Sequence, residues 1–106
     1  MIVTLVQSDL PRIVSSFDRD HLVVVDCYAD WCGPCKSYGP QFESISNRWF
    51  ASASRVSFLK CKDEDSLAYY NVGALPTTLF LRSGREIGRV MGADAGTFSS
   101  PLCGAC

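Results

Sequence analysis

The sequence has one histidine, His21, and no excess of basic charge: ten lysines and arginines stand against eleven aspartates and glutamates, for a formal net charge of −1. Without a basic excess there is nothing to track a phosphate backbone or an anionic bilayer, so neither nucleic acid nor a membrane is expected as a partner. Long apolar runs are also missing. Met1-Ile-Val-Thr-Leu-Val6 is apolar but is cut off by Gln7-Ser8-Asp9, with no basic flank and too little length for a signal peptide or a membrane span. The expectation is an unexported, cytoplasmic protein. Repeats, low-complexity stretches and linkers are absent, and 106 residues at 47% hydrophobic content fit one domain over 1–106.

Cysteine, by contrast, is abundant: six in 106 residues. In a secreted chain they would suggest a disulfide scaffold, whereas in a reducing compartment the same thiols are catalytic, metal-binding or buried. Each therefore needs its own reading.

Leu10, Ile13, Val14 and Phe17 recur at helical spacing behind Ser8-Asp9, which predicts an amphipathic helix with Pro11 tolerated in its first turn. Leu22-Val-Val-Val25, continuing through Asp26-Cys27, reads as a strand covered on both faces. Cys35, Tyr38, Phe42, Ile45 and Trp49 predict a second helix over about 34–50, which Pro40 should kink. A strand over 55–61, a short helix over 63–70, and a hairpin of 77–81 with 87–91 around Arg82-Ser-Gly-Arg85 follow. Two glycines and Pro101 leave any closing helix short or degenerate, so 94–106 reads as an atypical tail.

Chemistry concentrates in Cys32-Gly33-Pro34-Cys35, placed where the buried strand gives way to the second helix. Unpaired N–H groups and the helix dipole favour a thiolate at a helix N-terminus, which makes Cys32 the nucleophile and Cys35, one turn in and more shielded, the resolving thiol. Pro34 suits the first helical position. The duller alternatives are a structural disulfide or half of a zinc site, whose two further ligands would come from among His21, Cys103 and Cys106. Asp26 lies inside an apolar run, where burial raises a carboxyl pKa; it is either a proton acceptor and donor for Cys35 or a strand-end aspartate bonded to backbone. Cys27 and Cys61 fall in strands and read as small buried hydrophobes. The sequence alone makes Pro76 an ordinary strand-entry proline. The pair Cys103-Gly-Ala-Cys106 is a second redox or metal pair, or an incidental terminus.

The stretch Val23-Val-Val-Asp-Cys-Tyr-Ala-Asp-Trp-Cys-Gly-Pro-Cys-Lys36 closely resembles the signature of the thioredoxin family, and Pro40, Phe58-Leu-Lys-Cys61, Gly73-Ala-Leu-Pro-Thr77, Ser83-Gly84 and Gly92-Ala93 extend the likeness to about residue 94. The resemblance implies an α/β thioredoxin fold, with a central five-stranded mixed sheet flanked by helices and a cis peptide before Pro76. It implies a thiol–disulfide oxidoreductase that reduces protein disulfides through Cys32 and Cys35, assisted by Asp26 and with Lys60 as a modulator of that carboxyl or simply a solvated strand lysine. Trp31, Gly33, Pro34, Leu75, Pro76, Gly92 and Ala93 would line the groove that takes an extended client segment. The chain would be a monomer that binds no cofactor or metal, drawing electrons from NADPH through a separate thioredoxin reductase. A different class of function remains open beside this one: a redox-inert client-binding or assembly subunit that uses the same groove.

Overall fold

The computed structural model describes residues 2–5, 10–17, 20–52, 56–83 and 85–92. In chain order they form β1 (Ile2–Leu5), α1 (Leu10–Ser15), β2 (Leu22–Cys27), α2 (Gly33–Ser52), β3 (Val56–Cys61), α3 (Glu64–Tyr69), β4 (Thr77–Arg82) and β5 (Arg85–Met91). The strands make one mixed sheet in the order β1-β3-β2-β4-β5. β1, β3 and β2 run parallel, while β4 is antiparallel to both β2 and β5. Central β2 is buried at all six positions, as a strand covered on both faces must be.

Strand alternation sorts the core into two layers. Leu22 and Val24 of β2, Val56 and Phe58 of β3 and Phe80 of β4 pack with Tyr38 and Phe42 of α2. The alternate positions Val23, Val25, Cys27, Leu59, Cys61, Leu79 and Leu81 pack with Leu10 and Val14 of α1 and with Tyr70. α1 is tied to α3 by Leu10 N–H donating to Ser66 Oγ at 2.9 Å. Asp63 caps α3, accepting from the Ser66 backbone N–H at 3.2 Å, and Glu64 and Asp65 follow at the positive end of its dipole.

The structure departs from the residue pattern in three places. β1 is a strand that the residue pattern left unassigned, and only the five-stranded sheet implied by the family likeness called for it. β5 begins at Arg85 rather than Ile87, because Arg85 and Glu86 pair with Arg82 and Leu81; a bulge then leaves Ile87 without a register partner and half exposed. The second helix starts one residue early, at Gly33, and continues through Pro40. Gly84, Ala93, the tail over 94–106 and any closing helix lie outside the described residues.

Candidate active site

β2 ends at Cys27 and α2 begins at Gly33, so Tyr28–Cys32 turns the chain from the centre of the sheet onto the helix that covers it. Cys32 N–H donates to Ala29 O at 3.2 Å. Cys32 itself occupies the N-cap of α2, and its Sγ accepts the Cys35 backbone N–H at 3.2 Å. A serine or threonine hydroxyl makes this same bond when it caps a helix; here a sulfur occupies the place where the orphan N–H groups and the dipole stabilise negative charge. Pro34 is consequently the second helical residue rather than the first.

Cys32 and Cys35 are joined in a disulfide with Cα atoms 5.3 Å apart. Their exposures are alike, 4% and 6%, so the expected contrast in shielding is absent from the oxidised pair. What distinguishes the two sulfurs is their position on the helix.

Asp26 belongs to the same strand row as Leu22 and Val24, the row facing α2, which places its carboxyl beneath the helix that carries the disulfide. It is 1% exposed, and neither carboxyl oxygen has a hydrogen-bond partner among the described residues. Burial pushes its pKa up to about 6, against an opposing pull from the Lys60 ammonium. Its register partners are Lys60 on β3 and Thr78 on β4. Tyr38, one turn beyond Cys35, shares a 2.6 Å hydrogen bond with Thr78 Oγ1. Lys60 Nζ lies 4.6 Å from the centre of the Tyr28 ring, which offers it a cation–π contact. A cleft of about 580 Å³ opens beside Cys35 and is lined by Lys60, Tyr28, Lys36 and Glu43 among others.

At this end of the sheet also lie the start of β4 and the end of β5, where Thr77 pairs with both Cys27 and Met91. The Leu75–Pro76 peptide is cis, so Pro76 is more than an ordinary entry proline. Gly92 N–H donates to Pro76 O at 2.8 Å, and its φ of 92° calls for glycine. Leu75 and Gly92 are half-buried, Gly33 and Pro34 are exposed, and Trp31 is 80% exposed. The segment leading to Leu75 is fastened by Arg89, whose guanidinium donates to Tyr70 O at 2.7 Å and Asn71 O at 3.3 Å while Glu86 holds it from the same strand. The bulge at Ile87 puts Glu86 and Arg89 on one face.

Two groups named from sequence are elsewhere. Cys27 and Cys61 are register partners on the opposite face of the sheet, buried against α1 and α3 with both thiol pKa values raised chiefly by desolvation. His21, a candidate zinc ligand, stacks on Phe17 and bonds Ser57 at 2.7 Å, and the length of β2 separates it from the disulfide. Among the described residues no group of three or more His, Cys, Asp or Glu side chains could hold a metal ion. Thr78 and Arg89 carry no motif, and their place at the site follows from strand register alone.

The family model "Thioredoxin" matches residues 1–97. The chain is 41% identical over 93 residues to thioredoxin of Malassezia sympodialis, a match covering 78% of this chain and 87% of that one. It is 43% identical over 83 residues to thioredoxin-2, mitochondrial, of Schizosaccharomyces pombe, covering 78% of this chain and 62% of that one. The X-ray structure of Fasciola hepatica thioredoxin superposes with a TM-score of 0.82 at 29% identity, covering 100% of both chains. With an intact cysteine pair on the N-terminus of α2, the redox-inert reading is not favoured. The chain belongs to the thioredoxin family and is a thiol–disulfide oxidoreductase.

Proposed function

We propose that this protein reduces disulfides of client proteins in the cytoplasm, as a monomer without a bound cofactor or metal, and is recharged by a thioredoxin reductase that draws on NADPH. The Cys32 thiolate attacks one sulfur of a client disulfide, forming a mixed disulfide and releasing the other client sulfur as a thiolate that takes up a proton. Cys35 then gives its proton to Asp26 and attacks Cys32 Sγ. The mixed disulfide breaks, the client leaves reduced, and the Cys32–Cys35 disulfide closes. Lys60 tunes the Asp26 carboxyl by charge across the strand pair. Trp31, Gly33, Pro34, Leu75, Pro76 and Gly92 form the rim on which an extended client segment lies, its backbone pairing beside Leu75.

The observation that carries this reading is the hydrogen bond from Cys35 N–H to Cys32 Sγ at the start of α2, with the unpartnered Asp26 carboxyl beneath the same helix. The free thiols Cys27 and Cys61 suit a reducing compartment, and cell fractionation tests the assignment to the cytoplasm. Recycling is tested by mixing the chain with a thioredoxin reductase, NADPH and insulin. NADPH should be consumed in step with the insulin disulfides reduced. If the chain reduces insulin with dithiothreitol but draws no NADPH through the reductase, the proposed recycling is wrong.

A further inference from the structure

Three neighbouring strands set polar side chains side by side on the face that α2 covers. Asp26 of β2 is in register with Lys60 of β3 on one side and Thr78 of β4 on the other. All three continue the rows of Val24, Phe58 and Phe80, which pack under Tyr38 and Phe42. α2 roofs them with Cys35 and, one turn on, Tyr38. The titratable and charged groups around Asp26 are thus Lys60 from β3, Cys35 and Tyr38 from α2, and Tyr28 from the turn after β2, whose ring holds the Lys60 ammonium. Lys36 and Glu43 of α2 line the cleft that Lys60 shares, and Cys27, next along β2, packs on the opposite face.

Proton transfer occupies Asp26 and Cys35 and leaves the Tyr38–Thr78 pair without a role. Both side chains are fully buried, and burying two hydroxyls in an otherwise apolar interface is costly unless they are bonded. They share a 2.6 Å hydrogen bond in which either oxygen can be the donor. With Tyr38 donating, the Thr78 hydrogen is left to give. The acceptor beside it in the sheet is the Asp26 carboxyl, which is 1% exposed and has no hydrogen-bond partner among the described residues. Cβ atoms of directly opposed residues in an antiparallel pair stand about 4.5–5.5 Å apart. Both oxygens lie beyond their Cβ atoms, so a side-chain rotation closes an O–H···O⁻ bond of about 2.5–2.7 Å.

We infer that Tyr38 and Thr78 are positioning residues for the Asp26 base: their hydroxyls form a donor chain, from Tyr38 to Thr78 to Asp26, that closes on the carboxylate and opens when the carboxylate is protonated. This rests on the role proposed for Asp26 in disulfide reduction. In the mixed disulfide the ionised carboxylate accepts the Thr78 hydrogen, which holds it in place beneath Cys35. The Cys35 thiol then gives its proton to the carboxylate, and the thiolate attacks Cys32 Sγ as the client sulfur leaves. The neutral carboxyl releases Thr78, and the Tyr38–Thr78 bond stands alone, as it does in the structure with the Cys32–Cys35 disulfide closed. No proton leaves either hydroxyl.

Carbon-13 NMR titration of the Asp26 carboxyl in the oxidised chain tests this, with the resonance identified by its loss in Asp26→Asn. A donor to the carboxylate favours ionisation, so Thr78→Val, which keeps the shape and removes the hydroxyl, should titrate about one pH unit above wild type, a tenfold change. Thr78→Ser should restore the wild-type midpoint, and Tyr38→Phe should raise it by a smaller amount. The pH midpoint for release of a peptide from the mixed disulfide should move with the carboxyl in each variant. A role confined to packing would change stability and leave both midpoints in place. Equal carboxyl midpoints in wild type and Thr78→Val would overturn the inference, as would a Thr78→Ser midpoint as high as that of Thr78→Val. Should Thr78→Val fail to fold, Tyr38→Phe decides, and an unmoved midpoint there overturns the inference. If release by wild type did not follow the Asp26 titration at all, the reading of Asp26 as the base would fall and this inference with it, leaving the attack by Cys32 intact.

Discussion

Insulin reduction by the Cys32→Ser chain is expected to fall to the uncatalysed background, with dithiothreitol as the electron source and wild type measured alongside. Cys32 is the cysteine whose sulfur caps α2 and receives the Cys35 N–H, and serine there supplies an oxygen that does not ionise in the working pH range or exchange with disulfides. The remaining thiols of the fold cannot replace it. Cys35 lies one turn inside the helix, and Cys27 and Cys61 sit on the far face of the sheet, buried and held protonated by desolvation. Because the two active-site thiols act as a unit, Cys35→Ser should block turnover as completely. It should do so at the second step, with the chain left covalently attached to its client. A Cys32→Ser chain that kept a rate near wild type would assign the first attack to another thiol.

For Asp26→Asn, the effect on stability should depend on pH. The carboxyl pKa is raised in the folded chain from 3.8 to about 6. Below pH 4 both folded and unfolded forms are protonated, and the folded state pays nothing for a buried charge. Between pH 4 and 6 the unfolded chain releases its proton while the folded chain keeps it, so stability falls as pH rises and levels off above the folded pKa. At 1.36 kcal/mol per unit the accumulated loss is about 3 kcal/mol. The stability of Asp26→Asn relative to wild type should therefore be about 3 kcal/mol more favourable at pH 8 than at pH 3. Taking the difference between two pH values removes any constant cost of an unpartnered buried amide. Urea unfolding of the oxidised proteins at both pH values measures it, and a difference that did not change with pH would contradict a buried, raised carboxyl. The same substitution removes the base that receives the Cys35 proton, so release of client from the mixed disulfide should slow by about a hundredfold.

The sequence announced the parts of this protein whose physics is local. Leu22–Cys27 reads as a strand covered on both faces, with Asp26 inside its apolar run as a desolvated carboxyl; the structure agrees on both points. The cysteine at the strand-to-helix junction had to meet helix N–H groups. Contributions that depend on register were hidden. Thr78 lies opposite Asp26 only because β4 pairs antiparallel to β2 in one alignment, and Arg89 reaches the Tyr70 and Asn71 carbonyls only because a bulge resets the face of β5. β1 carried no signal of its own because four residues are too few to show a periodicity. Lys60, left open between a modulator and a solvated strand lysine, faces Asp26 in the register of β2 and β3, where its charge opposes the rise of the carboxyl pKa. Of the groove residues, Ala93 lies outside the described chain, and the other six lie at one end of the sheet.

The most direct test of the two-step mechanism is the mass of the species captured by a Cys35→Ser/Cys103→Ser/Cys106→Ser chain from a disulfide-bonded peptide. The account predicts one peptide attached per chain, mapped to Cys32 and stable until a reductant is added. Attachment at Cys27 or Cys61, or no attachment under conditions where wild type reduces the peptide, would contradict it.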